Sequence, residues 1–168
     1  AETFKAVVVL AEVLNALSIK TEILGFNDRI HGFQDFGVRL TDTSRREMGT
    51  MLKEVDSSRA RYNDDGWALK EASARLAREA AEEKFLIALS DGIPEESGAH
   101  SGAEFDLHKV VNEILLTTDQ KLIGLGIGSG TEHVSKYYPH SLADVPVKEM
   151  AEKLADLIRD VIANYQDF

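Results

Sequence analysis

Four short stretches of this chain combine residue types that chemistry requires. Asn27-Asp28, Asn63-Asp64-Asp65-Gly66 and Asp91-Gly92 carry carboxylate and amide oxygens beside turn-forming residues. The fourth, Gly124-Leu125-Gly126-Ile127-Gly128-Ser129-Gly130, offers backbone that side chains do not shield. Oxygen donors without any thiolate belong to hard-cation chemistry, Mg²⁺ or similar, in which a few protein ligands bind and water or a partner's carboxylate completes the shell. Each stretch also has a plainer reading. Asp-Gly is a common turn pair, and Asn63–Gly66 serves equally well as a helix N-cap with an acidic first turn.

The glycine run invites a nucleotide reading that its spacing does not favour. It lacks the G-x-G-x-x-G spacing and the P-loop lysine, and no clear helix opens directly behind it. Glycines placed this way let the backbone pass close to neighbouring elements. The five histidines, His31, His100, His108, His133 and His140, show no H-x-x-x-H spacing. A G-x-S-x-G elbow is missing. Trp67 and the Tyr137-Tyr138 pair read as core or interface anchors. No catalytic constellation emerges from this inventory.

Composition narrows the function classes. The chain has 168 residues, the size of one domain with a real core. Its 43% hydrophobic and 29% charged residues are ordinary for a folded protein, so disorder is not the default. There is no cysteine, which excludes disulfides and thiolate metal sites and suits a cytoplasmic protein. The net charge of −10 leaves no basic run for a nucleic-acid groove; Arg39, Arg45 and Arg46 are flanked by Asp42 and Glu47. No stretch approaches the ~20 apolar residues that span a bilayer. The apolar run Ala6–Ala11 lacks a basic leader and reads as helix.

Periodicity supplies the frame that must position these groups. Phe4, Val7, Val8, Ala11 and Leu14 predict a helix over 3–17, apolar enough to be flanked on two sides. Thr21–Phe26 reads as a strand, Arg29–Gly37 as a loop, and Val38–Thr41 as a short edge strand. Ser44 and Glu47 form a capping box for a helix reaching about Val55. Residues 57–65 are polar and unpatterned. A helix over 66–82 follows, with Leu69, Ala72, Leu76 and Ala80 on one face. Lys84–Ser90 is a continuous apolar run, the mark of a central strand. Ser101 and Glu104 are candidates to cap a helix with the face Leu107, Val110, Val111 and Ile114. Leu122–Ile127 is a second buried strand, and Val147–Tyr165 a strongly periodic final helix. Alternating strands and helices predict a single doubly wound α/β domain, with a mostly parallel sheet and helices on both faces. In such sheets ligands bind beyond the carboxyl ends of the strands, where the oxygen-bearing stretches fall. One irregularity stands out: the first helix arrives with no strand before it.

Four segments in order carry a family resemblance: Glu22–Phe26, Asn63–Leu69, Leu86–Pro94, and Leu122–Gly128 followed by Val134–Tyr138. Together they resemble the von Willebrand A domain that ends the T subunit of aerobic cobaltochelatase, over nearly the whole chain. The resemblance implies a metal-ion-dependent adhesion site built from three loops. Asp91 supplies one ligand, and Asn63 or Asp65 a second. Gly92, Ile93, Pro94 and Glu95 are the partner-facing stretch beside it. The remaining ligands belong to a D-x-S-x-S loop expected just before the first helix. That loop and its central strand do not occur within 1–168, so the strand is expected from elsewhere. The family further implies a divalent cation, Mg²⁺ above all, and two partners: a ring-forming AAA+ ATPase subunit and the large subunit that inserts cobalt into a corrin ring. This chain, which has no Walker motif, is then a non-catalytic adapter. The rival readings are a companion of another AAA+ ATPase in metalloenzyme maturation, an extracellular adhesion domain, and a nucleotide-binding α/β enzyme built on the glycine run.

Overall fold

Among the described residues, three parallel strands and an antiparallel two-stranded ribbon make up the β-structure. The structure is a computed structural model, and it describes residues 2–55, 64–90, 100 and 102–166. The elements are α1 (Glu2–Ala16), β1 (Ile23–Phe26), β2 (Ile30–Gln34), α2 (Asp42–Val55), α3 (Asp65–Ala77), β3 (Phe85–Ser90), α4 (Leu107–Thr117), β4 (Lys121–Ile127), α5 (Val134–Tyr137), β5 (His140–Val145) and α6 (Met150–Gln166). Short 3₁₀ turns at Ala103–Phe105 and Val147–Glu149 lead towards α4 and α6.

The sheet order is β3-β4-β5, all parallel, with Leu86 beside Leu122 and Ile123 beside His140. Every residue of β4 is buried, as a middle strand with both faces covered must be. Alternation along the strands then builds two cores. On one face Ile123, Leu125 and Ile127 meet Ala6 and Leu10 of α1 and Met150 and Leu154 of α6. On the other, Leu122 meets Leu69 of α3 and Leu107, Val110, Val111 and Ile114 of α4. The four residues expected on the α4 face are thus all buried. A buried polar pair ties α3 to the approach of β4: Ser73 Oγ donates to Gln120 Oε1 (2.8 Å), and Gln120 Nε2 donates to the Ser73 carbonyl (3.0 Å).

The ribbon β1–β2 sits apart from this sheet, with Leu24 opposite Gly32 and Phe26 opposite Ile30. Its core is shared with α1 and α2: Ala11, Leu40 and Met48, packed by Phe4, Ile23 and Phe33. The broadly apolar α1 is therefore flanked as its sequence implied, by the sheet on one side and by the ribbon on the other. Helix α3 also reaches both sheets. At its start Asp64 N–H donates to the Asn27 carbonyl just after β1 (3.3 Å), and near its end Arg75 pairs with Glu22 just before β1 (3.2 Å). It follows that α3 runs antiparallel to β1.

Several expectations need correction. Residues 30–34 form β2, because an Asn27–Arg29 turn, held by Asn27 Oδ1 accepting from Arg29 N–H (2.9 Å), folds them back onto β1. Val38–Thr41 is not a strand; Leu40 is buried in the ribbon core without pairing. Helix α2 starts earlier than the Ser44 box, since Thr41 Oγ1 accepts from Ser44 N–H (3.1 Å) and caps it. Helix α3 stops at Ala77 rather than 82. Glu79, Glu82 and Glu83 lie just beyond that end, where negative charge opposes the helix dipole. Helix α4 is capped by Asp106, whose carboxylate accepts from Lys109 N–H (3.1 Å), in place of Glu104; Ser101 lies outside the described residues. Among the described residues β3 is an edge strand, half-buried throughout, not the central strand its composition predicted. No apolar or alternating pattern in the sequence marks β5.

Candidate functional site

The start of α3 meets the turn after β1 through the Asp64–Asn27 bond, and Ser90 at the end of β3 lies beside Gly126 near the end of β4. Asp65 opens α3, as its turn-rich setting predicted, and Asp64 immediately before it is almost wholly buried. The Oδ2 atom of Asp65 is shut off from solvent. Its negative charge reaches Tyr138, a core residue lying against Gly124 of β4. Burial first, then Asp65 and Tyr137, push the Tyr138 phenol above its ordinary value. An acid raised in the folded state stays protonated there while the unfolded chain ionises. Stability is therefore full below the ordinary phenol pKa of about 10 and falls as pH rises beyond it. The alkaline limb of a pH–stability curve is expected to flatten in Tyr138→Phe, measured by urea denaturation between pH 8 and 11.

Asn63, Asp91, Gly92, Ile93, Pro94 and Glu95 lie outside the described residues. Among the described residues no three His, Asp or Glu side chains converge as a metal cage. What the described residues contribute is a pair of neighbouring carboxylates at a helix start, Asp64 and Asp65. Carboxylate oxygen is the donor type of hard-cation sites.

The glycine run is occupied by packing. A Cβ on Gly124 would overlap the Tyr138 ring, and one on Gly126 would overlap Thr131. Gly128 and Gly130 take positive φ, +74° and +82°, which glycine alone adopts freely. The Gly128 N–H is committed to the Val145 carbonyl (3.1 Å). Thr131 and Asp144 then lock this end of the sheet. Asp144 Oδ1 accepts from Thr131 N–H (3.1 Å), and Thr131 Oγ1 accepts from Asp144 N–H (2.8 Å). Asp144 itself sits at φ +53°, a region aspartate tolerates better than most residues.

Two histidines that sequence spacing did not select stand beside these elements. His133 Nε2 lies 3.1 Å from Ser90 Oγ. That pair is half of a nucleophile–base arrangement, but His133 Nδ1 is buried and meets no hydrogen-bond partner among the described residues, so the third, orienting member of a triad is missing there. His100 stacks on Trp67, with ring centroids 3.9 Å apart and planes 2° from parallel. His108 lies against Tyr137 at 4.3 Å. Only spatial proximity selects His100 and His133, whose partners Trp67 and Ser90 are 33 and 43 residues away in sequence.

A parallel sheet with helices on both faces is the architecture of an α/β domain of the von Willebrand A type. Residues 39–164 match the family model described as the cobalamin biosynthesis protein CobT VWA domain. The match spans well over half of the chain, which belongs to that family. Among the described residues no helix is long and apolar enough to cross a membrane.

Proposed function

We propose that this domain is a non-catalytic adapter of an ATP-driven cobalt chelatase, serving cobalamin biosynthesis in the cytoplasm. Membership of the cobalamin-biosynthesis family carries this reading. Asp65 and Asp91, with Asn63 beside them, hold a divalent cation, Mg²⁺ above all, at the carboxyl edge of the sheet. Gly92–Glu95 face the partner, and the cation takes a carboxylate from an AAA+ ATPase subunit, linking its motion to the large chelating subunit. The packing roles of Gly124 and Gly126 weigh against a nucleotide site in the glycine run.

The reading includes a further strand between β1 and β3. The outer edge of β3 carries apolar residues on both faces, and α1 and α3 each span from the three-stranded sheet to the ribbon. One extended segment, parallel to β3, joins the two sheets and adds its own loop to the cation site.

The decisive experiment is affinity purification of the protein from its native cells, with Mg²⁺ or with EDTA throughout. Recovery of an AAA+ ATPase subunit and a large chelatase subunit in Mg²⁺, lost in EDTA, is the expected outcome. Equal recovery in both buffers removes the cation from the mechanism. An AAA+ ATPase without a chelatase subunit transfers the adapter to metalloenzyme maturation.

A further inference from the structure

The turn after β1 and the first turn of α3 are far apart in sequence, yet they meet through the Asp64–Asn27 bond. One side chain touches both. His100 Nε2 donates to the Asp28 carbonyl (3.3 Å), and the same imidazole lies flat on Trp67, two residues after Asp65. Its other flank meets Phe105 edge-on, with centroids 5.9 Å apart and planes at 88°. The Phe105 carbonyl in turn fills the space where Gly66 has no side chain. Stacked and edge-to-face contacts fix a ring in both tilt and distance. A donor on that ring then fixes the carbonyl it bonds. The imidazole is the shared part of three segments otherwise joined here by the Asp64–Asn27 backbone bond.

We propose that His100 is a positioning residue, which holds the Asn27–Asp28 turn in register with the Asp65 end of α3. The inference rests on the cation-site reading for its consequence, because displacing α3's first turn displaces the Asp65 carboxylate. It also makes a claim about position alone.

The test uses three variants of the full protein. His100→Ala removes ring and donor, His100→Phe keeps a flat ring, and His100→Gln keeps a donor. Hydrogen exchange at the Asp64 amide, followed by NMR, reads the register directly. We expect it to accelerate about tenfold in His100→Ala and less in the other two, while Ile123 and Leu125 in β4 keep the wild-type rates. Mn²⁺ affinity, measured by titration, is expected to fall about tenfold in His100→Ala, with partial recovery in His100→Gln or His100→Phe. Unchanged exchange at Asp64, or equal acceleration in β4, overturns the positioning role. Faster exchange with unchanged Mn²⁺ affinity overturns its part in the site. If the wild-type protein binds no Mn²⁺, the cation reading fails, and the exchange data alone decide the claim about His100.

Discussion

Gly66→Ala is expected to destabilise the domain by about 3 kcal/mol, the upper part of the range for overpacking. Helix propensity alone points the other way. Alanine in a helix is favoured over glycine by about 1 kcal/mol, so intuition would make the substitution stabilising. The neighbour decides the sign. A Cβ at Gly66 overlaps the carbonyl oxygen of Phe105, with the Leu107 amide close behind. Both are backbone, and neither can swing aside as a side chain does. Either α3 backs away from the 3₁₀ turn, exposing part of Leu69 and Leu107, or the turn is lost. Gly49 in α2 supplies the control. Its Cβ would meet only the tip of Phe4, at 3.9 Å, so Gly49→Ala is expected to stabilise by up to ~1 kcal/mol. Urea denaturation of the two variants, side by side, should move the midpoint in opposite directions. Two shifts of the same sign would show that the contact between α3 and Phe105 is not as described.

The second large effect concerns Asp65. Asp65→Asn keeps the shape of the side chain and deletes its charge. If the carboxylate is a cation ligand, Mn²⁺ affinity should fall on the order of 100-fold, since ligand charge is what chiefly tunes hard-cation sites. The stability change should be much smaller. An acidic residue in the first turn of a helix contributes about 0.3–1 kcal/mol through the dipole, and the amide retains part of that. A spectroscopic readout separates the possible roles of the charge. Because Asp65 helps to raise the Tyr138 phenol, the alkaline titration of that tyrosine should move back towards its ordinary range in Asp65→Asn. A shifted tyrosine titration with unchanged Mn²⁺ affinity would place the charge at Tyr138 and remove it from the cation site.

Much of this architecture is legible in the residues, for reasons that also mark its limits. Helices α4 and α6 and strand β4 bury long apolar stripes, so composition alone separates their faces. Asp65 is legible as well, because an acidic residue between a turn and an apolar run belongs at a helix start. The ribbon and β5 are different. In β5 the residues Ala143 and Asp144 are exposed and His140 and Ser141 only half-buried. Its pairing with β4 is settled by the α5 crossover, which no local pattern records. The sequence of β2, Ile-His-Gly-Phe-Gln, looks like a loop because its glycine and histidine contribute nothing apolar; the Asn27 turn makes it a strand. For β3 the composition is legible, but among the described residues only one of its edges is paired. An apolar run reports that both faces are covered, and it says nothing about how many edges are paired. His100 is illegible for the same reason as β5: a stack on Trp67 is a fact of tertiary structure.

The outer edge of β3, which no strand covers among the described residues, has one more consequence whenever the proposed further strand is not in place. Along Phe85–Leu89 alternate residues present their amides and carbonyls at this edge, with apolar side chains above and below them. An open edge of that kind is a template for the growth of cross-chain sheet, and unfolded or neighbouring molecules can add to it. The chain carries its own brake directly upstream. Glu82, Glu83 and Lys84 precede the run, and charges flanking an unavoidable apolar strand act as gatekeepers against aggregation. The net charge of −10 adds repulsion between molecules at long range. High salt, which screens that repulsion, is the condition under which this domain is most exposed to forming fibres through β3.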